Sequence, residues 1–271
     1  MDWSLVLISQ GIESALENTP EQGWGLAVSA EDYQRALEAI RLYRVENRGW
    51  PWQRQIFRAG VIFDWASLAW VVLVLLFFWL DEHLGLQRAG LMNSRAVGQG
   101  EWWRLFTAIW LHADASHLAF NATLGFLLLG LAMAGFGSGP GLLGAYLAGM
   151  GGNLLGWFVS PMRGSSLGAS GMVMGALGLL AMQSLTRWRG IPGRTKYLLA
   201  GVSGGLMLFV LLGLSPGTDV IAHLGGFISG SLIGLLLVRF PLDRSTTGNV
   251  LCGLLFVTLV LLPWWLALRH G

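Results

Sequence analysis

Residues 61–80 read VIFDWASLAWVVLVLLFFWL, a run of twenty residues with a single charged side chain. An α-helix needs about 20 mostly apolar residues to cross the hydrocarbon core of a bilayer. Similar apolar stretches follow at residues 116–134, 141–160, 167–185, 197–214, 219–240 and 249–268. The pattern predicts an all-α polytopic membrane protein with seven spans.

The composition agrees with a chain that lies mostly in a bilayer. Hydrophobic residues make up 54% of the 271 residues, charged residues only 12%, and there are 39 glycines, which is atypical of a soluble domain. The net charge of +2 is not gathered on one soluble face, so we expect no nucleic-acid partner. Cys252 is the only cysteine, which excludes an intramolecular disulfide.

Residues 1–58 differ from the rest and hold most of the carboxylates. Two short apolar runs, 3–8 and 25–28, precede a predicted helix over 31–46. Ser29 and Asp32 have the spacing of a capping box at its start. We predict a small soluble N-terminal α+β unit, followed by a membrane domain over 59–271.

The basic residues predict the orientation of the spans, because cytoplasmic loops carry an excess of Lys and Arg. Most of them precede the first span, fill the loop after the fourth or follow the sixth: Arg35, Arg41, Arg44, Arg48, Arg54, Arg58, Arg187, Arg189, Arg194, Lys196, Arg239 and Arg244. This distribution predicts a multi-pass protein of the cell (inner, cytoplasmic) membrane, with the N-terminal unit in the cytoplasm. Seven crossings then place the C-terminus outside.

With that orientation, the second, fourth and sixth spans all begin at the outer surface. His117 and Asn121 lie in the first turns of the second span, Ser170 about one turn into the fourth, and His223 about one turn into the sixth. Polar groups within hydrocarbon cost free energy and tend to mark function. We expect the four side chains to share one layer near the outer surface.

Glycine patterns predict which spans pack closely. Small residues recur at intervals of four on two spans: Gly171 and Gly175 on the fourth, and Gly226, Gly230 and Gly234 on the sixth. Such small-xxx-small faces let helix backbones approach. Because His223 precedes Gly226 by three residues, contact between these faces would bring its imidazole to the Ser170 hydroxyl.

These residue types fit nucleophilic catalysis. A hydroxyl attacks an amide at neutral pH only when a base takes its proton, and neutral imidazole is the usual base. Attack develops negative charge on the carbonyl oxygen. The Asn121 amide, a ring N–H of His117 and the backbone N–H of Ser170 are candidate donors to that charge.

The motifs Gly168–Gly171 and Ala222–Gly226, together with His112, His117 and Asn121, resemble the rhomboid family of intramembrane serine proteases. The pair Trp103-Arg104 resembles the Trp-Arg pair of the family's first outer loop. The resemblance implies a six-helix core over about 61–240, with one extra C-terminal transmembrane helix at about 249–268.

The resemblance also implies roles for individual residues. Ser170 and His223 would be the catalytic dyad, and His117 and Asn121 would form the oxyanion hole. His112 would support His117, and Gly168 would let a substrate backbone approach the serine. The family often has tyrosine one turn after the serine, where this chain has Met174.

We therefore expect an endopeptidase that hydrolyses single-span transmembrane proteins near the outer membrane face without a cofactor. Asp219 could orient His223, but we interpret it as a helix cap. The alternatives are a non-catalytic membrane protein that binds transmembrane clients, a small-solute conductor, and a metal site formed by His112, His117 and His223.

Overall fold

The computed structural model divides into two compact units, Met1–Gly60 and Val61–Gly271. It describes residues 2–19, 23–46, 62–159, 165–187, 195–196, 199, 201, 203–205, 207, 219–240 and 246–270. The predicted fifth span, 197–214, therefore lies largely outside the described residues.

The N-terminal unit has the predicted α+β composition. Its elements are α1 (Asp2–Ser9), β1 (Ser14–Thr19), β2 (Gly23–Val28) and α2 (Tyr33–Glu46). The two strands pair antiparallel, and Leu7, Ile12 and Ala36 form a small buried core. The backbone N–H of Asp32 donates to Ser29 Oγ at 3.2 Å, as the capping pattern predicts, although α2 begins two residues later than the predicted start at residue 31.

The second unit is helical, apart from two short paired strands. Its elements are α3 (Ser67–Leu84), α4 (Gln87–Gly90), β3 (Met92–Asn93), α5 (Ser94–Gly98), α6 (Arg104–Thr107), a 3₁₀ turn (Ala108–Trp110), α7 (Ala115–Phe136), α8 (Ser138–Val159), β4 (Ser165–Ser166), α9 (Ser170–Arg187), α10 (Val220–Arg239) and α11 (Thr246–His270). Helices α3, α7, α8, α10 and α11 are long and apolar enough to cross a membrane, and α9 holds a shorter apolar segment, Ser170–Ser184. These helices confirm a multi-pass, all-α membrane domain.

Two helices begin later than the hydropathy pattern predicts. The side chain of Asp64 accepts a hydrogen bond from the N–H of Ala66 at 2.9 Å, and α3 begins only at Ser67. Gly168 has φ +127°, a conformation that side chains disfavour, so α9 begins at Ser170. Ser170 is thus the first residue of its helix rather than one turn inside it.

The loop between α3 and α7 is held by buried polar contacts. Arg104 donates to the carbonyl oxygen of Leu91 at 2.8 Å and to the carboxylate of Glu101 at 2.5 Å. Thr107 donates to the carbonyl oxygen of Gly90 at 2.7 Å. The Trp-Arg pair therefore lies in a folded loop, and Arg104 is one of the residues that keep it folded.

Helices α9 and α10 touch through their backbones. A methyl group added at Gly226 would lie 2.2 Å from the carbonyl oxygen of Gly171, and one at Gly230 would lie 2.1 Å from that of Gly175. Only residues without a side chain fit at such distances. The predicted contact between the two glycine faces is confirmed.

Candidate active site

Ser170 is presented at the start of α9 by the residues before it. The N–H of Gly168 donates to the carbonyl oxygen of Ala108 at 3.0 Å, which ties this segment to the 3₁₀ turn. Ala169 is fully buried, and its carbonyl oxygen accepts the N–H of Val173 at 3.0 Å. Ser170 itself is half-buried.

His117 and Asn121 lie against this segment from α7. A methyl group added at Gly168 would lie 2.7 Å from Cε1 of His117 and 3.8 Å from Nδ2 of Asn121. Asn121 is 1% exposed, and its Nδ2 makes no hydrogen bond within the described part of the chain. A buried donor without an acceptor costs about 1–3 kcal/mol, so this amide is poised to donate to an acceptor that enters the site.

The first turn of α7 is fixed by Asp114. Its carboxylate accepts the backbone N–H of His117 at 2.8 Å and the hydroxyl of Ser116 at 2.5 Å. The hydrogen bond from the Ser116 hydroxyl, followed by that from His117, holds the pKa of Asp114 below its usual value. A charged cap at this helix start orients the residue whose ring faces Gly168.

His112 packs behind His117. The two ring centroids are 5.2 Å apart in an edge-to-face arrangement, and His112 is 1% exposed. Burial, and next the nearby His117, lower the pKa of His112 to about 4. His112 is therefore neutral at physiological pH and adds no charge beside His117.

His223 reaches the site from the first turn of α10. It is 4% exposed. A methyl group added at Gly171 would lie 3.6 Å from the carbonyl oxygen of Ala222. The residue after Ser170 and the residue before His223 are thus neighbours, and α7, α9 and α10 begin at the same end of the bundle.

Asp219 acts as the predicted cap of α10, since its carboxylate accepts the N–H of Ala222 at 2.8 Å. Met174, where the family often has tyrosine, is 1% exposed and buried in the core. Among the described residues, no group of three or more His, Cys, Asp or Glu side chains is arranged to hold a metal ion. The catalytic roles of the gathered residues stay predictions.

Tyr146, a fully buried residue of α8, is not among the site residues predicted from the sequence. Its hydroxyl accepts the indole N–H of Trp110 at 3.2 Å. Trp110 precedes His112 by two residues in the chain. The available signal was an isolated polar aromatic residue in a span otherwise rich in glycine and leucine.

Comparison with known proteins gives the family of the chain. Residues 99–240 match the Rhomboid domain model, which covers more than half of the chain. RHOMBOID-like protein 1 of Arabidopsis thaliana is 35% identical over 169 residues, 59% of this chain and 41% of that protein. Rhomboid protease GluP of Bacillus subtilis is 34% identical over 169 residues, 58% of this chain and 31% of that protein.

A shorter relative is matched over most of its length. Putative rhomboid protease YdcA of Bacillus subtilis is 30% identical over 181 residues, 64% of this chain and 86% of that protein. The Arabidopsis relatives are longer, and the match spans 41% to 50% of the length of RHOMBOID-like proteins 1, 5 and 6. With its helical membrane domain and the matching family model, the chain belongs to the rhomboid family.

Proposed function

We propose that this chain is an intramembrane serine endopeptidase in which Ser170 is the nucleophile and His223 the base. The observation that carries the proposal is the meeting of three helix starts around Ser170. The first turn of α10, which carries His223, lies against Gly171, and His117 and Asn121 of α7 lie against Gly168. Relatives named as rhomboid proteases support the same activity.

The reaction begins with proton transfer. His223 in its neutral form takes the Ser170 hydroxyl proton while Oγ attacks the peptide carbonyl carbon. The tetrahedral intermediate collapses when the imidazolium gives that proton to the leaving amine, which breaks the C–N bond. A water molecule, deprotonated by the same imidazole, then hydrolyses the acyl-enzyme and restores the hydroxyl.

The developing oxyanion needs preorganised donors, which are worth most where water is excluded. Asn121 offers a buried Nδ2 with no acceptor among the described residues, and it lies beside the backbone that leads to Ser170. His117 offers a ring N–H from the same side, and Ser170 a backbone N–H at a helix start. Gly168 leaves room there for the substrate backbone.

The substrate class follows from the position of the site in the membrane. We propose that single-span transmembrane proteins are cut near the outer face of the cell membrane, where water reaches a half-buried serine. The arginine distribution supports a cytoplasmic N-terminus and an external C-terminus. The proposed mechanism uses groups of the protein and a water molecule and needs no cofactor.

Labelling with a fluorophosphonate tests the nucleophile, since the reagent reacts with activated serines. We expect the purified protein to be labelled, Ser170→Ala to be unlabelled and His223→Ala to be nearly so. Ser166→Ala is the matched control, because it removes a hydroxyl from the same loop and should label normally. Labelling that survives Ser170→Ala would contradict the assignment.

The rate at which the purified protein cleaves a transmembrane peptide tests whether Asn121 donates to the oxyanion. Asn121→Ala should lower kcat by about 10²–10³ while KM changes little, because the donor acts mainly in the transition state. A destabilised Asn121→Ala protein with native kcat would instead give this residue a packing role.

The second candidate is a non-catalytic membrane protein that binds transmembrane clients. Met174 favours it, since this buried position often carries tyrosine in the family. Such a protein would bind a transmembrane peptide, and neither labelling nor cleavage would occur in the folded, detergent-solubilised form.

A further inference from the structure

The last helix, α11, contains a proline in its interior. Pro263 has no N–H, so the carbonyl oxygen of Leu259, one turn earlier, lacks its usual intrahelical donor. Carbonyl oxygens left without a donor in an apolar environment are costly. This one accepts the hydroxyl of Tyr146 from α8 at 3.3 Å.

Tyr146 is the centre of a buried network of three partners. Its hydroxyl accepts the indole N–H of Trp110 at 3.2 Å and donates to the carbonyl oxygens of Leu259, at 3.3 Å, and Phe106, at 3.4 Å. A hydroxyl has one proton, so the two long distances describe a bond shared between two acceptors. The two carbonyl acceptors determine where the hydroxyl proton points. The direction of the proton in turn determines which lone pair of the oxygen can accept the indole N–H of Trp110.

Trp110 connects this network to the candidate active site. It ends the 3₁₀ turn that begins at Ala108, whose carbonyl oxygen holds the N–H of Gly168 at 3.0 Å. His112 follows Trp110 by two residues. The Tyr146 network is thus joined through Trp110 to the anchor of the segment before Ser170 and to His112.

Helix α11 contacts other parts of the membrane domain near both of its ends. The side chain of Asn249 accepts the N–H of Gly139, the second residue of α8, at 3.1 Å. Near the other end, Trp264 stacks on Phe77 with ring centroids 5.2 Å apart, and His270 stacks on Trp103 at 5.8 Å. Contacts along its full length make α11 a fixed partner for Tyr146.

We propose that Tyr146 is a positioning residue for the reaction at Ser170, and that α11 supplies through Leu259 the acceptor that fixes it. The inference rests on the proposed function, since it assigns support for that reaction to a helix beyond residues 99–240, the part that matches the family model. Pro263 is the residue that makes the acceptor available.

Tyr146→Phe removes only the hydroxyl. We expect kcat for a transmembrane peptide to fall about three- to tenfold with little change in KM, the loss expected for one hydrogen bond of ordinary strength. Amide hydrogen exchange at Gly168 should quicken in the same variant. Thr258→Val is the matched control, because it removes an exposed hydroxyl that donates to the carbonyl oxygen of Leu254 within α11, and it should change neither quantity.

Pro263→Ala tests the part played by α11 with Tyr146 intact. The new N–H competes for the Leu259 carbonyl oxygen, so kcat should fall and exchange at Gly168 should quicken, both by less than in Tyr146→Phe. In the Tyr146→Phe background, Pro263→Ala should change neither kcat nor exchange at Gly168 further, because the hydrogen bond through which it acts is already absent.

Native kcat and native exchange in either single variant would overturn the proposal, as would fully additive effects. A lower melting temperature with native kcat in the folded fraction would also overturn it, since Tyr146 would then only stabilise the fold. The exchange measurement needs no catalysis. If wild-type protein is not labelled at Ser170, the proposed function fails, whereas a labelled wild type with a native Tyr146→Phe variant refutes this inference alone.

Discussion

At the scale of single residues, His112 shows how burial acts on a side chain at the site. It is 1% exposed, and burial together with His117 lowers its pKa to about 4. In the unfolded chain the ordinary histidine pKa is about 6.5. The unfolded state therefore binds a proton first as the pH falls, and the protein loses stability between these two values.

We predict that acidification from pH 7 to pH 4 removes about 3 kcal/mol of stability through His112, by the linkage between pKa shift and free energy. His112→Gln, which cannot be protonated, should show a correspondingly shallower decline of melting temperature in detergent. Asp114 does not contribute to the loss of stability between pH 7 and pH 4, because its pKa lies below its usual value. Its carboxylate therefore caps α7 until the pH falls further. Equal slopes for both proteins would show that His112 is not the titrating group.

The site residues could be predicted from the sequence to different degrees. Ser170, His223, His117 and Asn121 stand out because polar groups are rare in apolar spans, and the starts of the three helices that carry them are neighbours in the structure. Tyr146 could not be predicted, because its partners are backbone carbonyls and an indole that only the packing of distant helices brings together. Which carbonyls lack an intrahelical donor becomes clear only once Pro263 lies inside a helix.

At the scale of helices, the contact between α9 and α10 determines where His223 lies. A methyl group added at Gly230 would be 2.1 Å from the carbonyl oxygen of Gly175, and backbone atoms cannot yield as a flexible side chain can. Gly230→Ala must therefore separate the two helices. The separation moves the start of α10, and His223 with it, away from Ser170.

We predict that Gly230→Ala lowers stability by about 1–3 kcal/mol, the usual cost of overpacking, and also slows labelling of Ser170 by a fluorophosphonate. Gly253→Ala is the control, because an added methyl group at that position of α11 meets nothing within 4 Å. It should label at the native rate. A Gly230→Ala protein with native stability and native labelling would show that the helices do not need this close approach.

The helices themselves were predicted from the sequence with mixed accuracy at their ends. Apolar length predicted the spans at α3, α7, α8, α10 and α11. The start of α9 was predicted at residue 167, but the left-handed backbone of Gly168 delays it to Ser170. Hydropathy does not report a backbone conformation, and a glycine in an apolar run is equally compatible with a helix.

At the scale of the whole molecule, the orientation in the membrane decides which substrates reach Ser170. The arginines before the first span and after the fourth predict a cytoplasmic N-terminus. The structure places the starts of α7, α9 and α10 at one end of the bundle. If the N-terminus is cytoplasmic, the second, fourth and sixth predicted spans each follow an odd number of membrane crossings. The starts of α7, α9 and α10 then face outward.

We predict that Ser165→Cys, in the exposed loop before Ser170, reacts with a membrane-impermeant maleimide added to intact cells. Ala30→Cys, in the exposed turn before α2, should react only after the cells are permeabilised. Because Cys252 is the only native cysteine, Cys252→Ser gives a cysteine-free background that reports each new thiol alone. The reverse pattern of labelling would place Ser170 at the cytoplasmic face. The proposed dyad would survive that result, but its substrates would then have to be cut at the inner surface, and the arginines before α3 would lie outside, against the charge bias of membrane proteins.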